Sequence, residues 1–270
     1  MPIACSTAIG CGFPIEEALN RIVKTGLHKC DLLTIEGWAH LNPSSMIAEW
    51  DATTARVDAL LMERNLRLVS LNAMIGTKMH ERTPAAMASR ERETAAVLEF
   101  MSTYGISTIA LQPPLKWQET WSDAEQDLCI ATLREQMAVA QKAGVTFALE
   151  LHTRSPFESM QQVNRLLAAL PEIPLVYDAT HFVMQGIPIR ETAWMMKNAA
   201  HAHLRDAKKG ELQAPYGEGE VDFDWVLGTL QEKGFKGTIS IEYLGSKDTP
   251  FDVVDSASRL ADKISEYFAV

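Results

Sequence analysis

Four segments of the chain end alike. Thr146-Phe-Ala-Leu-Glu150, Leu175-Val-Tyr-Asp178, His201-Ala-His203 and Thr238-Ile-Ser-Ile-Glu242 are short, mostly apolar runs that each close on an acid or an imidazole. If each run is a β-strand, its side chains alternate between two faces. Phe147, Leu149, Leu175, Tyr177, Ile239 and Ile241 then share one face, and Glu150, Asp178, His203 and Glu242 share the other. Neighbouring strands lie about 4.8 Å apart, so on a curved sheet four side chains from adjacent strand ends can meet at one ion. Three carboxylates and one imidazole make a hard, mostly oxygen donor set, which suits Mn²⁺ or Mg²⁺; Co²⁺ or Zn²⁺ could also be accepted. An isolated acid at a strand end is more often a helix cap or a solvated loop residue. What sets these four apart is agreement in place and parity across four units. His201 has the parity of His203 but lies one layer deeper, so it reads as a support behind the ligands.

The elements that must hold these residues are marked by turn chemistry. Helix-like segments end at Gly26, Gly105, Gly144 and Gly234, and Asn65 holds the same place before Leu66 to Leu71. These residues tolerate the left-handed conformation that closes a helix. Ser122-Asp-Ala-Glu125 and Ser155-Pro-Phe-Glu158 fit capping boxes, and Met160, Val163, Leu166, Leu167 and Leu170 then repeat along one helix face. Apolar runs near Ile3 to Thr7, Asp31 to Glu36, Leu66 to Asn72, Thr108 to Gln112, Thr146 to Leu151, Pro174 to Asp178, Ala200 to Leu204 and Gly237 to Glu242 make eight strands. Helices are expected to follow, beginning near Pro14, Asp51, Thr83, Ser122, Ser155, Ile187, Asp222 and Asp252. Strict strand-then-helix alternation implies parallel pairing with right-handed crossovers, and eight such units close into a single (β/α)₈ TIM barrel. An open doubly wound sheet is the alternative, but Ala8-Ile-Gly-Cys-Gly-Phe13 lacks the spacing of a dinucleotide fingerprint.

Composition bounds the rest. The chain has 270 residues, 47% hydrophobic and 22% charged, with no linker or low-complexity tract, so one barrel domain over residues 1–270 is expected. Its net charge of −10 repels phosphate backbones and argues against a nucleic-acid partner. No stretch of about 18 apolar residues suggests a membrane span. The start, Met-Pro-Ile-Ala-Cys-Ser-Thr, lacks a signal-peptide pattern, and Cys5, Cys11, Cys30 and Cys129 form no close pairs. Reduced thiols and a cytoplasmic location are therefore expected. A homo-oligomer is compatible with all of this.

Several motifs together resemble the xylose isomerase-like barrels, the group of sugar phosphate isomerases/epimerases that includes apurinic endonuclease IV. They are Ala148-Leu-Glu-Leu-His152, Tyr177-Asp-Ala-Thr-His181, His201-Ala-His-Leu-Arg-Asp206, Gly217-Glu-Gly-Glu-Val-Asp-Phe223 and Gly237-Thr-Ile-Ser-Ile-Glu242. The resemblance implies one divalent metal ion held by Glu150, Asp178, His203 and Glu242, with Glu150 and Glu242 also moving protons. It implies that His181 binds substrate oxygens, as in related ketose epimerases. Lys209 stands where those epimerases look to have a substrate-binding arginine. The three-metal site of endonuclease IV would need histidines where this chain has Asn72 and Gln112, and an Asp-x-His pair near Ala214-Pro-Tyr216.

The chemistry that follows is proton transfer beside a carbonyl of a small carbohydrate or keto acid. The ion polarises the carbonyl and acidifies the adjacent C–H; one of Glu150 and Glu242 removes the proton, and a proton is returned to the neighbouring carbon or to the other face. The outcome is isomerisation or epimerisation, with His152 and His181 orienting hydroxyls or supporting a ligand. The same machinery serves a dehydratase or lyase, as in barrels resembling inosose dehydratase, 3-dehydroshikimate dehydratase and the deglycosylating lyases. A silent binding barrel is the rival from another class. Trp38, Trp117 and Trp121 follow strands two and four, where they stack on a sugar or pack loops. Arg154, Arg205, Lys208 and Lys209 read from their positions as solvated charges.

Overall fold

A computed structural model describes residues 2–268. Eight strands, numbered here in chain order, build the central sheet: β1 Ile3–Ser6, β2 Lys29–Ile35, β3 Arg67–Met74, β4 Thr108–Leu111, β5 Thr146–Glu150, β6 Leu175–Tyr177, β7 Ala199–Leu204 and β8 Thr238–Ile241. Every consecutive pair from β2 to β8 is parallel. β1 pairs in parallel with both β8 and β2, through Cys5 with Ile241 and with Cys30, which closes the barrel. Closure leaves no exposed strand edge in the cylinder. The open-sheet alternative is thereby excluded.

The helices are α1 Ile15–Lys24, α2 Pro43–Ala48, α3 Trp50–Glu63, α4 Pro84–Tyr104, α5 Asp123–Ala143, α6 Met160–Ala169, α7 Thr180–Val183, α8 Phe223–Glu232 and α9 Val253–Tyr267. Gly26, Asn65, Gly105, Gly144 and Gly234 all take positive φ where a helix gives way to a strand, as the sequence spacing predicts. Ser122 and Glu125 form the expected capping box at the head of α5. Asp222 and Asp252 cap α8 and α9 with their side chains.

Two expected helix starts are corrected. Ser155 does not open a helix, because its backbone N–H goes to the His152 carbonyl and its hydroxyl accepts from Phe157 N, which closes a turn. The capping box lies four residues on, between Ser159 and Gln162, and α6 begins at Met160. The helix expected near Ile187 is a 3₁₀ segment, Ile189–Lys197, preceded by the single turn of α7.

Side-chain alternation sorts the barrel as the parity argument requires. Phe147, Leu149, Leu175, Tyr177, Ile239 and Ile241 point outward into one apolar core shared with Val163 and Leu166 of α6, Leu227 and Leu230 of α8, and Leu260 of α9. Inside the cylinder, Ala110, Ala148 and Val176 form a separate small cluster with Ala200. Small inward residues leave the polar side chains near the strand ends room to converge. Two accessory pieces sit on this frame: Ala39–His40, which folds back antiparallel onto β2, and a hairpin of Asp206–Lys208 with Glu211–Ala214 after β7. The four cysteines are free.

Candidate active site

The parallel register brings β5, β6, β7 and β8 side by side, and their ends bring one ligand atom each from Glu150, Asp178, His203 and Glu242 within 4.8 Å of one another. All four residues are buried. His203 Nδ1 lies 2.8 Å from Glu150 Oε1 and 3.5 Å from Glu242 Oε2. Asp178 Oδ1 accepts from Thr180 N at 2.8 Å, and its Oδ2 accepts from Arg205 Nη2 at 3.0 Å.

Side chains from β3 and from the end of β4 brace the glutamates. Asn72, on β3, donates to Glu242 Oε1 at 2.6 Å. Gln112, just past β4, donates to Glu150 and, at 2.9 Å, to Asn72 Oδ1. The Arg205 guanidinium is 2% exposed and donates to Glu242 and Asp178. Its partners hold its charge firmly, and its pKa rises despite burial. The expectation that Arg205 is a solvated charge is therefore corrected. It shares the inward parity of His201 and His203, and that was the available signal.

Beneath the cluster lies a second group that the strand-end rule passes over. Asp31 sits near the start of β2, fully buried, with Oδ2 3.3 Å from His203 Nε2 and 3.4 Å from His201 Nε2. Burial opposes the Asp31 charge, but the two histidines outweigh it and hold its pKa well below the ordinary range. An ionised carboxylate only accepts, so His203 Nε2 carries a proton and its Nδ1 edge is turned toward Glu150 and Glu242. His201 is thus a neighbour of the cluster through Asp31, as its deeper layer suggests.

Electrostatics divide the acids. Burial raises Glu242, which Glu150 and Asp178 push further, to about 7 against the pull of His203 and Arg205. Glu150 is also penalised by burial, yet His203 holds it well below the usual range. Asp178 is raised by burial and by Glu150, with Arg205 resisting. Burial alone would pull His203 down, but Glu242, Glu150 and Asp31 raise it well above the normal imidazole range. Three buried carboxylates at one point demand cationic charge, and this oxygen-rich set with one imidazole fits a hard divalent ion.

Two members of the cluster, Glu150 and Glu242, open onto a cavity of about 510 Å³ at the barrel mouth. Glu150, Glu242, His152, His181 and Arg205 line it. The His152 and His181 rings lie 3.9 Å apart. His181 Nδ1 lies 3.4 Å from Thr153 N, and its Nε2 lies 3.4 Å from Arg205 Nη2 and 3.6 Å from Asp178 Oδ2. Burial and the nearby His152 keep that ring neutral. Lys209 is not brought to this site. It lies exposed at the turn of the hairpin after β7, packs its stem beside Gly186, and is absent from the cavity wall. The hairpin begins only two residues after β7 ends, and its turn leaves Lys209 off the cavity wall.

Asp206 anchors that hairpin to the Gly217–Asp222 loop. Its carboxylate accepts from the backbone N–H groups of Gly217 at 2.8 Å, Gly219 at 3.1 Å and Val221 at 3.3 Å. The glycine-rich motif is therefore a structural loop leading into α8. Trp38 and Trp117 line the cavity, whereas Trp121 donates its indole N–H to the Arg154 carbonyl at 2.7 Å and packs the loop.

Residues 9–263 match the family model described as xylose isomerase-like TIM barrel. Over 216 residues the chain is 26% identical to an L-ribulose-5-phosphate 3-epimerase of Salmonella paratyphi C, covering 73% of this chain and 75% of the epimerase. It is 24% identical over 165 residues to an inosose dehydratase of Erwinia tasmaniensis, covering 52% of this chain and only 55% of the dehydratase. A xylose isomerase-like TIM barrel protein from Mycobacterium smegmatis, solved in complex with magnesium, superimposes with a TM-score of 0.77 at 13% identity, covering 99% of this chain and 98% of that one.

Proposed function

The chain belongs to the xylose isomerase-like TIM barrel family, and from that premise we propose that it is a metal-dependent enzyme that moves a proton at a carbon beside the carbonyl of a sugar or keto acid. The observation that carries this reading is the meeting of Glu150, Asp178, His203 and Glu242 within 4.8 Å beneath an open cavity. Glu150, Asp178, His203 and Glu242 would hold the ion, with Mn²⁺ or Mg²⁺ preferred by the donor set. When bound, the ion supplies Lewis acidity to the carbonyl and stabilises the negative charge that develops as the C–H bond breaks.

The chain's own residues account for the rest. Both glutamates line the cavity, so each presents a carboxylate to the substrate. Asn72 and Gln112, which line the same cavity, hydrogen-bond to them and fix their orientation at little entropic cost during reaction. Removal of a proton by one glutamate and delivery by the other to the opposite face is epimerisation. Return to the adjacent carbon is isomerisation. His152 sits at the cavity wall, where its ring can orient a hydroxyl, and His181 does so while steadying Asp178. Arg205 keeps the Asp178 and Glu242 carboxylates together. Similarity to the Salmonella epimerase supports this reading. Similarity to inosose dehydratase favours a second, in which the same deprotonation is followed by loss of water.

Deuterium exchange separates these readings. The protein is stripped of metal, reloaded with Mn²⁺, and incubated in D₂O with a panel of ketoses, keto acids and 3-keto sugars. NMR label at a carbon next to the carbonyl, without water loss and abolished by Glu242→Gln, is the expected result. Water loss instead selects the dehydratase reading. Full turnover by Glu242→Gln overturns the proton-transfer role, and retained metal without exchange on any substrate points to a silent barrel.

A further inference from the structure

The cavity over the acidic cluster has two chemically different sides. One carries Glu150, His152, His181, Arg205 and Glu242. The other, built from β2 to β4 and their following loops, is walled mainly by Leu33, Met74, Ile75, Met79, Leu111 and Leu115, with Glu36, Asn72, Thr77, Lys78 and Gln112 set among them. At the rim, Trp38 is 54% and Trp117 is 72% exposed, and both line the same space. A bare polyol presents hydroxyls in every direction and gains little from a wall of this kind.

A polar group is set into that apolar part. Gln136 on α5 lines the cavity and is 4% exposed, yet neither its amide nitrogen nor its amide oxygen has a hydrogen-bond partner among the described residues. A buried amide left unpaired is costly, so a ligand group that displaces the cover over Gln136 and pairs with its amide would relieve that cost. Phosphate, by contrast, finds no cradle. Lys78 and Arg205 are the basic residues of the lining; Lys78 is exposed, and Arg205 is committed to Asp178 and Glu242.

We infer that the substrate is a sugar or keto sugar bearing an apolar, ring-sized substituent that ends in a hydrogen-bonding group, of the chemical class of a hydroxyaryl glycoside. The sugar lies over Glu150 and Glu242, the substituent rests against Met74, Ile75, Met79 and Leu111, and its polar end meets Gln136. This inference rests on the reading of the cluster as the reacting centre.

Three glycosides test it: methyl, phenyl and 4-hydroxyphenyl, each in the gluco, galacto and xylo series, titrated into Mn²⁺-loaded protein and followed by calorimetry and tryptophan fluorescence. Burying a phenyl ring should tighten binding by about tenfold or more over methyl in at least one series. The para hydroxyl should add a further gain that disappears in Gln136→Leu, which keeps the preference for phenyl over methyl. Met74→Glu, at a half-buried position, should erase the phenyl preference. Mn²⁺ affinity should stay within about twofold in Gln136→Leu, which changes no charge and none of the hydrogen bonds to the cluster.

Equal affinity for methyl and phenyl glycosides, or no binding of any of the nine, overturns the inference. A hydroxyl gain that survives Gln136→Leu removes Gln136 from it. Wild-type protein that binds no Mn²⁺ but keeps the phenyl preference overturns the reading of the cluster and leaves the apolar subsite standing.

Discussion

Replacing Asp31 by Asn probes whether the buried layer under the cluster governs metal binding. Asn has nearly the size of Asp, so β2 and the barrel should keep their packing. What changes is charge: the fully buried Asp31 carboxylate faces His203 Nε2 at 3.3 Å and His201 Nε2 at 3.4 Å. Hydrogen bonds to a charged group contribute about 1.5–3 kcal/mol, and neutral ones about 0.5–1.5 kcal/mol. An Asn oxygen still accepts from His203, so the expected loss is about 1–1.5 kcal/mol, or roughly tenfold in the dissociation constant for Mn²⁺. That agrees with the tenfold to hundredfold loss usual when a partner of a ligating histidine is removed. Asp31→Ala leaves the His203 N–H without an acceptor and should fall near the upper end. The assay is calorimetric titration of metal-stripped protein near pH 7.5, with thermal melting to confirm the fold. Wild-type Mn²⁺ affinity in both variants would refute the idea that Asp31 orients His203.

Three further outcomes follow from particular contacts. Because Glu242 and Glu150 keep a proton on His203 above the normal imidazole range, Mn²⁺ must displace it; affinity should therefore rise with pH by up to about tenfold per unit. Below about pH 7 the slope should steepen, as Glu242 then also holds a proton, and calorimetry in buffers of different ionisation enthalpy reads the protons released. Gly219→Ala would drive its Cβ into the Asp206 carboxylate and to 2.6 Å from the Ala207 carbonyl oxygen. A loss of about 1–3 kcal/mol is expected from a urea midpoint, since backbone must shift. Ser159→Ala removes the hydroxyl that accepts from Gln162 N at 3.3 Å at the head of α6, and should cost about 1 kcal/mol in the same assay.

The barrel was legible because its signals are local. A glycine or asparagine in the left-handed region closes a helix whatever surrounds it, and alternation alone decides which face of β5 or β8 carries Glu150 or Glu242. The start of α6 was harder, because Ser155-x-x-Glu158 and Ser159-x-x-Gln162 both satisfy the capping pattern. Only the tertiary commitment of the Ser155 N–H to His152 decides between them. Asp31 escaped notice because it lies at the opposite end of its strand from the chemistry; the signal was a lone acid inside an apolar strand, which has to find a buried partner. Asn72 and Gln112 were visible as strand-end polar groups, but their role depends on carboxylates 170 and 38 residues away, one reached across the barrel and one on the adjacent strand. Lys209 was placed by the resemblance to ketose epimerases, and the hairpin turn on which it lies packs its stem beside Gly186 and leaves it off the cavity wall.

The most direct test is crystallographic. Metal-stripped protein soaked with Mn²⁺ and measured near the manganese absorption edge should show one strong anomalous peak at coordinating distance, about 2.0–2.3 Å, from Glu150, Asp178, His203 and Glu242. A peak elsewhere, or none at saturating Mn²⁺, would contradict the account.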